Sequence, residues 1–265
     1  MSGVQKIDLG LKDAYDELFM DDAGRAENRK PKVDEIPLEN LAEFPDHPFR
    51  VNDGAEMEQM KQSIQESGVL TPAIARERSD GKFEIISGHR RLAACRSLGL
   101  AAMPVIVRNM TDDEAVITMV DTNLQREHIL PSEKAFAYKM KLEAMSRQGK
   151  RSDLTSGQVG QKWSRDEVAD KESGRQVQRY IRLTNLIPEL LDKVDEGKMA
   201  MSPAVEISYL STEEQRTLLT AMEQADCTPS HAQAIELKKL SQEGALFVED
   251  MHFDMSAPAP PVARK

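Results

Sequence analysis

Cysteine and aromatic residues are scarce in this chain. Two cysteines, Cys95 and Cys227, occur among 265 residues, both in apolar-periodic segments with no CxxC or Cys/His spacing. That excludes a disulfide scaffold and a zinc site and predicts buried thiols. Aromatics make up 5 % of the residues, with one tryptophan, so large stacking platforms for single-stranded nucleic acid are excluded and helices fit better than a β-sandwich. No stretch approaches the roughly 18 apolar residues of a membrane span, and the N-terminus has no apolar core flanked by basic residues. A soluble, cytoplasmic protein is expected. There is no GxxxxGK[ST] loop and no internal repeat.

Charge, by contrast, is plentiful. Asp, Glu, Lys and Arg make up 30 % of the chain and give a net charge of −10, while 40 % hydrophobic content suffices for a core. The average hides a gradient. From Arg147 to Arg182 nine basic residues face five acidic ones, and the stretches on either side are each net negative. A single basic island in an acidic chain suits a polyanion partner.

Local patterning divides the chain into an N-terminal arm (1–30), a small α+β domain (31–125), a helical domain (126–242) and a disordered Pro/Ala-rich tail (243–265). Lys32–Leu38 reads as a strand, and Met57, Met60 and Ile64 place a helix over Ala55–Ser67, stopped by Gly68. Two alternating runs, Pro72–Arg76 and Lys82–Ser87, joined through Ser79-Asp-Gly, predict a hairpin. A helix follows Gly88, and Met103–Val107 reads as a further strand. Thr111-Asp-Asp-Glu is a capping box. Pro131-Ser-Glu-Lys opens the next helix, and Gln148–Gln161 reads as an exposed loop. Short helices are expected at 165–169, 176–185, 188–196, 203–210, 213–225 and 230–242.

Three segments carry chemistry. In Ile85-Ile-Ser-Gly-His-Arg-Arg-Leu-Ala-Ala a strand stops at Gly88 and turns into a helix. Glycine allows close backbone approach, the helix start offers unpaired N–H groups, and Arg90 and Arg91 add guanidinium forks, the outline of a phosphate site. The alternative is a capped helix with solvated arginines. In Asp121-Thr-Asn-Leu-Gln-Arg-Glu, Asn123 and Asp121 could serve Mg²⁺ and Arg126 a phosphate, or the group could be a solvated helix end. In Ser164–Leu183, two short helices flank a polar turn with helix-turn-helix spacing. Arg175, Gln176, Gln178, Arg179 and Arg182 face outward on the second helix, side chains suited to base edges and phosphates. A plain helix pair is the alternative.

Taken in this order, the three segments resemble the ParB family of chromosome and plasmid partition proteins. Ile86-Ser-Gly-His-Arg-Arg-Leu-Ala-Ala is similar to the family's GERRxxA box, Asn123-Leu-Gln-Arg-Glu to its ENLQRE box, and Thr71-Pro72-Ala-Ile-Ala-Arg to the strand beside the nucleotide base. The resemblance implies an α+β protein: a ParB/sulfiredoxin-like domain followed by a helical helix-turn-helix DNA-binding domain. It implies CTP and Mg²⁺ as cofactors, held by Thr71, Pro72, Gly88, His89, Arg90, Arg91, Ala94, Asn123, Gln125 and Arg126, with Asn123 and Asp121 toward the metal. DNA contact falls to Arg165, Ser173, Arg175, Gln176, Gln178, Arg179 and Arg182, on a palindromic centromere-like site. A Walker-type partition ATPase would be engaged by the arm through Leu9, Lys12, Leu18 and Phe19. Self-association into a dimer or clamp, slow CTP hydrolysis and a nucleoid location complete the expectation.

The chain departs from the family pattern twice. Thr122 stands where the box has glutamate, removing a carboxylate expected near the metal and the attacking water. Little beyond Gln242 could form the usual C-terminal dimerisation domain. Two other classes therefore stand beside the CTP-switched clamp: a repressor of a plasmid or integrative element without nucleotide turnover, and an enzyme such as a kinase or nuclease built on the sulfiredoxin-related fold. The latter lacks a nucleophilic cysteine motif and an acidic metal cluster.

Overall fold

A computed structural model describes residues 32–45, 47–49, 54–126, 128–153 and 172–246. The described residues of 1–43 and 53–109 make one compact unit, and those of 44–52 and 110–265 the other. The arm residues Leu9, Lys12, Leu18 and Phe19, the expected helix over 165–169 with Arg165, and the residues from 247 lie outside the described residues.

The first unit is a mixed five-stranded sheet with helices, the α+β class the sequence implies. Its elements are β1 (Val33–Pro37), β2 (Leu41–Ala42), α1 (Ala55–Ser67), β3 (Ala73–Glu77), β4 (Phe83–Ser87), α2 (His89–Ser97) and β5 (Ala102–Val107). The sheet order is β1-β5-β3-β4-β2. β3 and β4 form the expected antiparallel hairpin, while β3 runs parallel to β5 and β2 parallel to β4. Alternation works here as period-2 patterning requires: Ala73, Ala75 and Ile85 join Met57 and Ile64 of α1 and Leu92 and Cys95 of α2 in one core. On the other side of the hairpin, Arg76 and Glu84 stand opposite each other in register and pair at 2.6 Å.

The second unit is helical: α3 (Asp112–Leu124), α4 (Pro131–Asp153), α5 (Gly174–Leu183), α6 (Pro188–Asp195), α7 (Met201–Ile207), α8 (Thr212–Ala225) and α9 (His231–Glu243). The Thr111 capping box forms in full, and Ser211 and Ser230 build two more. α4 is braced against α3 by Arg147–Asp113 at 2.7 Å and Lys141–Asp121 at 2.6 Å.

Four local expectations need correction. α4 continues to Asp153 through the start of the expected 148–161 loop, since one glycine costs a helix only about 1 kcal/mol. α5 begins at Gly174, not 176, because Ser173 caps it by accepting from the Gln176 N–H. α7 spans Met201–Ile207, which places Pro203 within its first turn, where the missing N–H costs no helical bond. Of the two cysteines only Cys95 is buried; Cys227 follows Asp226, whose φ of 47° ends α8, and is half-buried.

Candidate functional site

The turn from β4 into α2 requires glycine twice over. Gly88 has φ 110°, in the region open to glycine, and a Cβ there would stand 2.9 Å from the Ala73 Cβ and 3.2 Å from the Arg91 guanidinium. β3 thus packs so close beneath the start of α2 that only a bare backbone fits. Arg91, from the first turn of α2, reaches back and donates to the carbonyls of Thr71 and, at 2.8 Å, Pro72. Thr71, Pro72, Gly88 and Arg91 are therefore brought together, and Ala94, further along α2, is buried. His89 is buried in the same turn.

The arginines are not the free forks the motif suggests. Arg90 donates to Glu56 of α1 at 2.9 Å, and Arg91 spends its N–H groups on main-chain oxygens. Burial lowers the Arg91 pKa from the ordinary arginine value, with Cys95 opposing the shift; the same burial raises the Cys95 thiol, which leaves it an unreactive core residue. Arg91 thereby fixes the backbone that leads into β3. The sequence could not have indicated this, because its partners lie about twenty residues away with no charge to mark them.

The second box closes α3. Asn123 is buried and donates its amide to the Met119 carbonyl at 2.8 Å, which leaves its side-chain oxygen as the acceptor available to a cation. Asp121 holds Lys141. Thr122 turns its hydroxyl onto its own helix, donating to the carbonyls of Thr118 at 2.9 Å and Met119 at 3.1 Å. Gln125 is the exposed C-cap, and the Arg126 guanidinium lies 5.6 Å from the centre of the Phe49 ring. With Asp121 committed to a lysine and Thr122 to main chain, these donors do not fit Mg²⁺ as they stand.

α5 presents Arg175, Gln176, Gln178, Arg179 and Arg182, and only Arg175 and Gln178 are fully exposed. Arg179 donates to the Ser202 hydroxyl at 2.8 Å and to Gln176 at 3.3 Å, and Gln176 in turn reaches the Met201 sulfur. Arg182 donates to the Ser208 carbonyl at 2.9 Å and lies over the Tyr209 ring. The expectation of five freely outward side chains is thus corrected: α7 and the residues after it supply polar partners that tether three of them. None of the three arginines meets a carboxylate among the described residues. The turn before α5 is held by Glu172, which pairs with Lys134 of α4 at 2.8 Å; burial opposes the Lys134 charge, but Glu172 and Tyr180 outweigh it and raise its pKa. Ser202, Ser208 and Tyr209 escaped the sequence reading because no periodicity links them to α5.

Residues 22–124 match the ParB N-terminal domain. The chain is 33 % identical over 174 residues to a protein of Deinococcus radiodurans named Probable chromosome 1-partitioning protein ParB, covering 65 % of this chain and 54 % of that one. Two structures of C-terminally truncated ParB from Caulobacter crescentus are also similar. One, complexed to the centromeric parS site, is 23 % identical and covers 84 % of this chain and all of its own, with a TM-score of 0.47. The other, complexed with CTP-gamma-S, is 26 % identical and covers 68 % of this chain and 93 % of its own, with a TM-score of 0.34. The chain spans about half the length of the curated relatives it matches. Residues 22–124, which hold the Gly88 turn and run to the end of α3, thus carry the ParB N-terminal domain pattern.

Proposed function

We propose that this protein is a sequence-specific DNA-binding partition protein that binds a palindromic centromere-like site through α5 and is switched by CTP into a sliding clamp. The observation that carries the reading is α5 itself, a helix with three arginines and no acidic residue, none of the arginines neutralised by a carboxylate among the described residues, in a chain of net charge −10. Such a helix suits the second position of a helix-turn-helix entering the major groove. The partition role is supported by the match of residues 22–124 to the ParB N-terminal domain and by the name of the Deinococcus relative.

For the nucleotide, the support is the glycine-only turn at Gly88 beneath the start of α2, where a phosphate could approach backbone N–H groups. Thr71 and Pro72, held by Arg91, would border the base, and CTP is the base the family resemblance implies. Binding of a triphosphate there would supply the free energy of closure. The chain's own part is to hold the phosphates at the turn and keep the β3 entry rigid. No step is assigned to Mg²⁺, because Asp121 and Thr122 are engaged elsewhere. A Walker-type ATPase engaged through Leu9, Lys12, Leu18 and Phe19, self-association as a dimer or clamp, and nucleoid location belong to the same proposal. A second reading, a repressor that binds nucleotide without turning it over, is favoured by the Thr122 hydroxyl's attachment to its own helix.

The test has two arms. Labelled CTP is titrated against wild type and Arg91→Ala, and the preferred duplex is selected from a random library with both proteins. Arg91→Ala should lose CTP binding while selecting the same palindromic duplex as wild type. Equal CTP affinity would sink the cradle, and a library with no enriched sequence would sink the DNA reading.

A further inference from the structure

The tethering of α5 leads to a cluster that the helix-turn-helix does not use. Tyr209, just past α7, is 43 % exposed. The Arg182 guanidinium lies 3.7 Å from its ring centre and the Lys238 ammonium, from α9, 3.8 Å from the same centre. Two like charges on one ring repel each other, so an arrangement that holds both asks for an anion near them. Among the described residues one carboxylate pairs with the two cations: Glu206 takes Lys238 at 2.8 Å. Arg182 has the neutral Ser208 carbonyl, and its Nε is buried without a hydrogen-bond partner. Arg179 is likewise fixed by the neutral Ser202 and Gln176.

The chain has 45 acidic residues from which such partners could have been drawn. Neutral acceptors do something a carboxylate would not: they fix the guanidinium while leaving its charge unspent for an incoming anion. The ring that both cations approach is itself partly exposed.

We propose that Arg182, Tyr209 and Lys238 form a clamp for a backbone phosphate of duplex DNA, outside the base-reading part of α5, with Glu206 as a built-in counter-charge that moderates it. This rests on the reading of α5 as a DNA-binding helix and assigns two residues, Tyr209 and Lys238, on separate elements. A phosphate contact positions the protein and carries no sequence information, so its signature is salt dependence that is the same on any duplex.

The experiment measures affinity of the full chain, without nucleotide, for the library-selected duplex and for a scrambled one across rising salt. Lys238→Gln should weaken binding to both equally and lower the slope of log affinity against log salt by about one. Tyr209→Leu should weaken both, and Tyr209→Phe, which keeps the ring, should not. Glu206→Gln should tighten both several-fold, a gain that damaged folding cannot imitate. An unchanged or weakened Glu206→Gln overturns the clamp, as does a Lys238→Gln loss confined to the selected duplex, which would mark a base contact. Wild type that binds neither duplex would remove the reading of α5 itself.

Discussion

At position 122 one side chain separates two accounts of the nucleotide. Water attack on a triphosphate needs a held metal and an oriented nucleophile, and the Thr122 hydroxyl gives its proton to the carbonyls of Thr118 and Met119 instead. Its neighbour Asp121 is occupied by Lys141. CTP should therefore be bound but turned over more slowly by wild type than by Thr122→Glu, with phosphate release in the presence of the selected DNA as the measurement. A wild type as fast as the variant would show that the side chain at 122 does not limit turnover. Gly88 gives a second prediction at this scale. A side chain there meets both a positive φ and the Ala73 Cβ, so Gly88→Ala should lower stability by about 1–3 kcal/mol and reduce CTP affinity in parallel. Thermal melting and the CTP titration read the two effects separately; an alanine variant with wild-type melting would show that β3 can yield.

At the scale of the element, α5 divides its labour by exposure. Arg175 and Gln178 stand free, while Arg179 leans on Ser202. Replacing Arg179 by alanine should cost roughly 1–3 kcal/mol if it reads a guanine, with relaxed preference at one base pair. If it meets a phosphate, the loss should be the same on every sequence. Ser202→Ala removes only the tether, so the two substitutions should be non-additive in a double-mutant cycle on DNA affinity; full additivity would mean that the tether breaks on binding. The elements themselves were legible because their signals are local. Thr111, Ser211 and Ser230 cap three residues ahead, Gly68 and Gly88 punctuate, and the β3–β4 hairpin alternates. What each arginine does was not legible. Arg90 meets Glu56, Arg91 the Thr71 carbonyl and Arg182 the Tyr209 ring, and such long-range partners leave no trace in spacing. The motifs mark where the charges gather, and tertiary packing decides which of them stay free.

At the scale of the whole molecule, the two units are interleaved along the chain. The linear reading places a boundary near residue 125, whereas contacts group α3 and the stretch 44–52 with the helical unit. The reason lies in two phenylalanines. EFPDHPFR looks like a proline-bound connector, yet Phe44 and Phe49 are buried, Phe49 to 2 % exposure. His47 meets the Phe49 ring edge-on, its Nδ1 lies 2.8 Å from the Phe49 carbonyl, and Arg126 lies over the ring. A segment that leaves β2 and returns to α1 thus carries an anchor of the other unit, so the helical unit is incomplete when cut from the chain at Asn109. Truncating Phe49 to alanine should cost on the order of 3–5 kcal/mol, and the loss should fall on one unit. Native-state hydrogen exchange of the full chain is the measurement: amides of α3 and α4 should exchange faster, while those of β3, β4 and β5 keep their protection. Equal acceleration in the sheet would mean that the two units unfold as one and that the interleaving couples them energetically; acceleration confined to residues 44–52 would mean that Phe49 stabilises only its own loop.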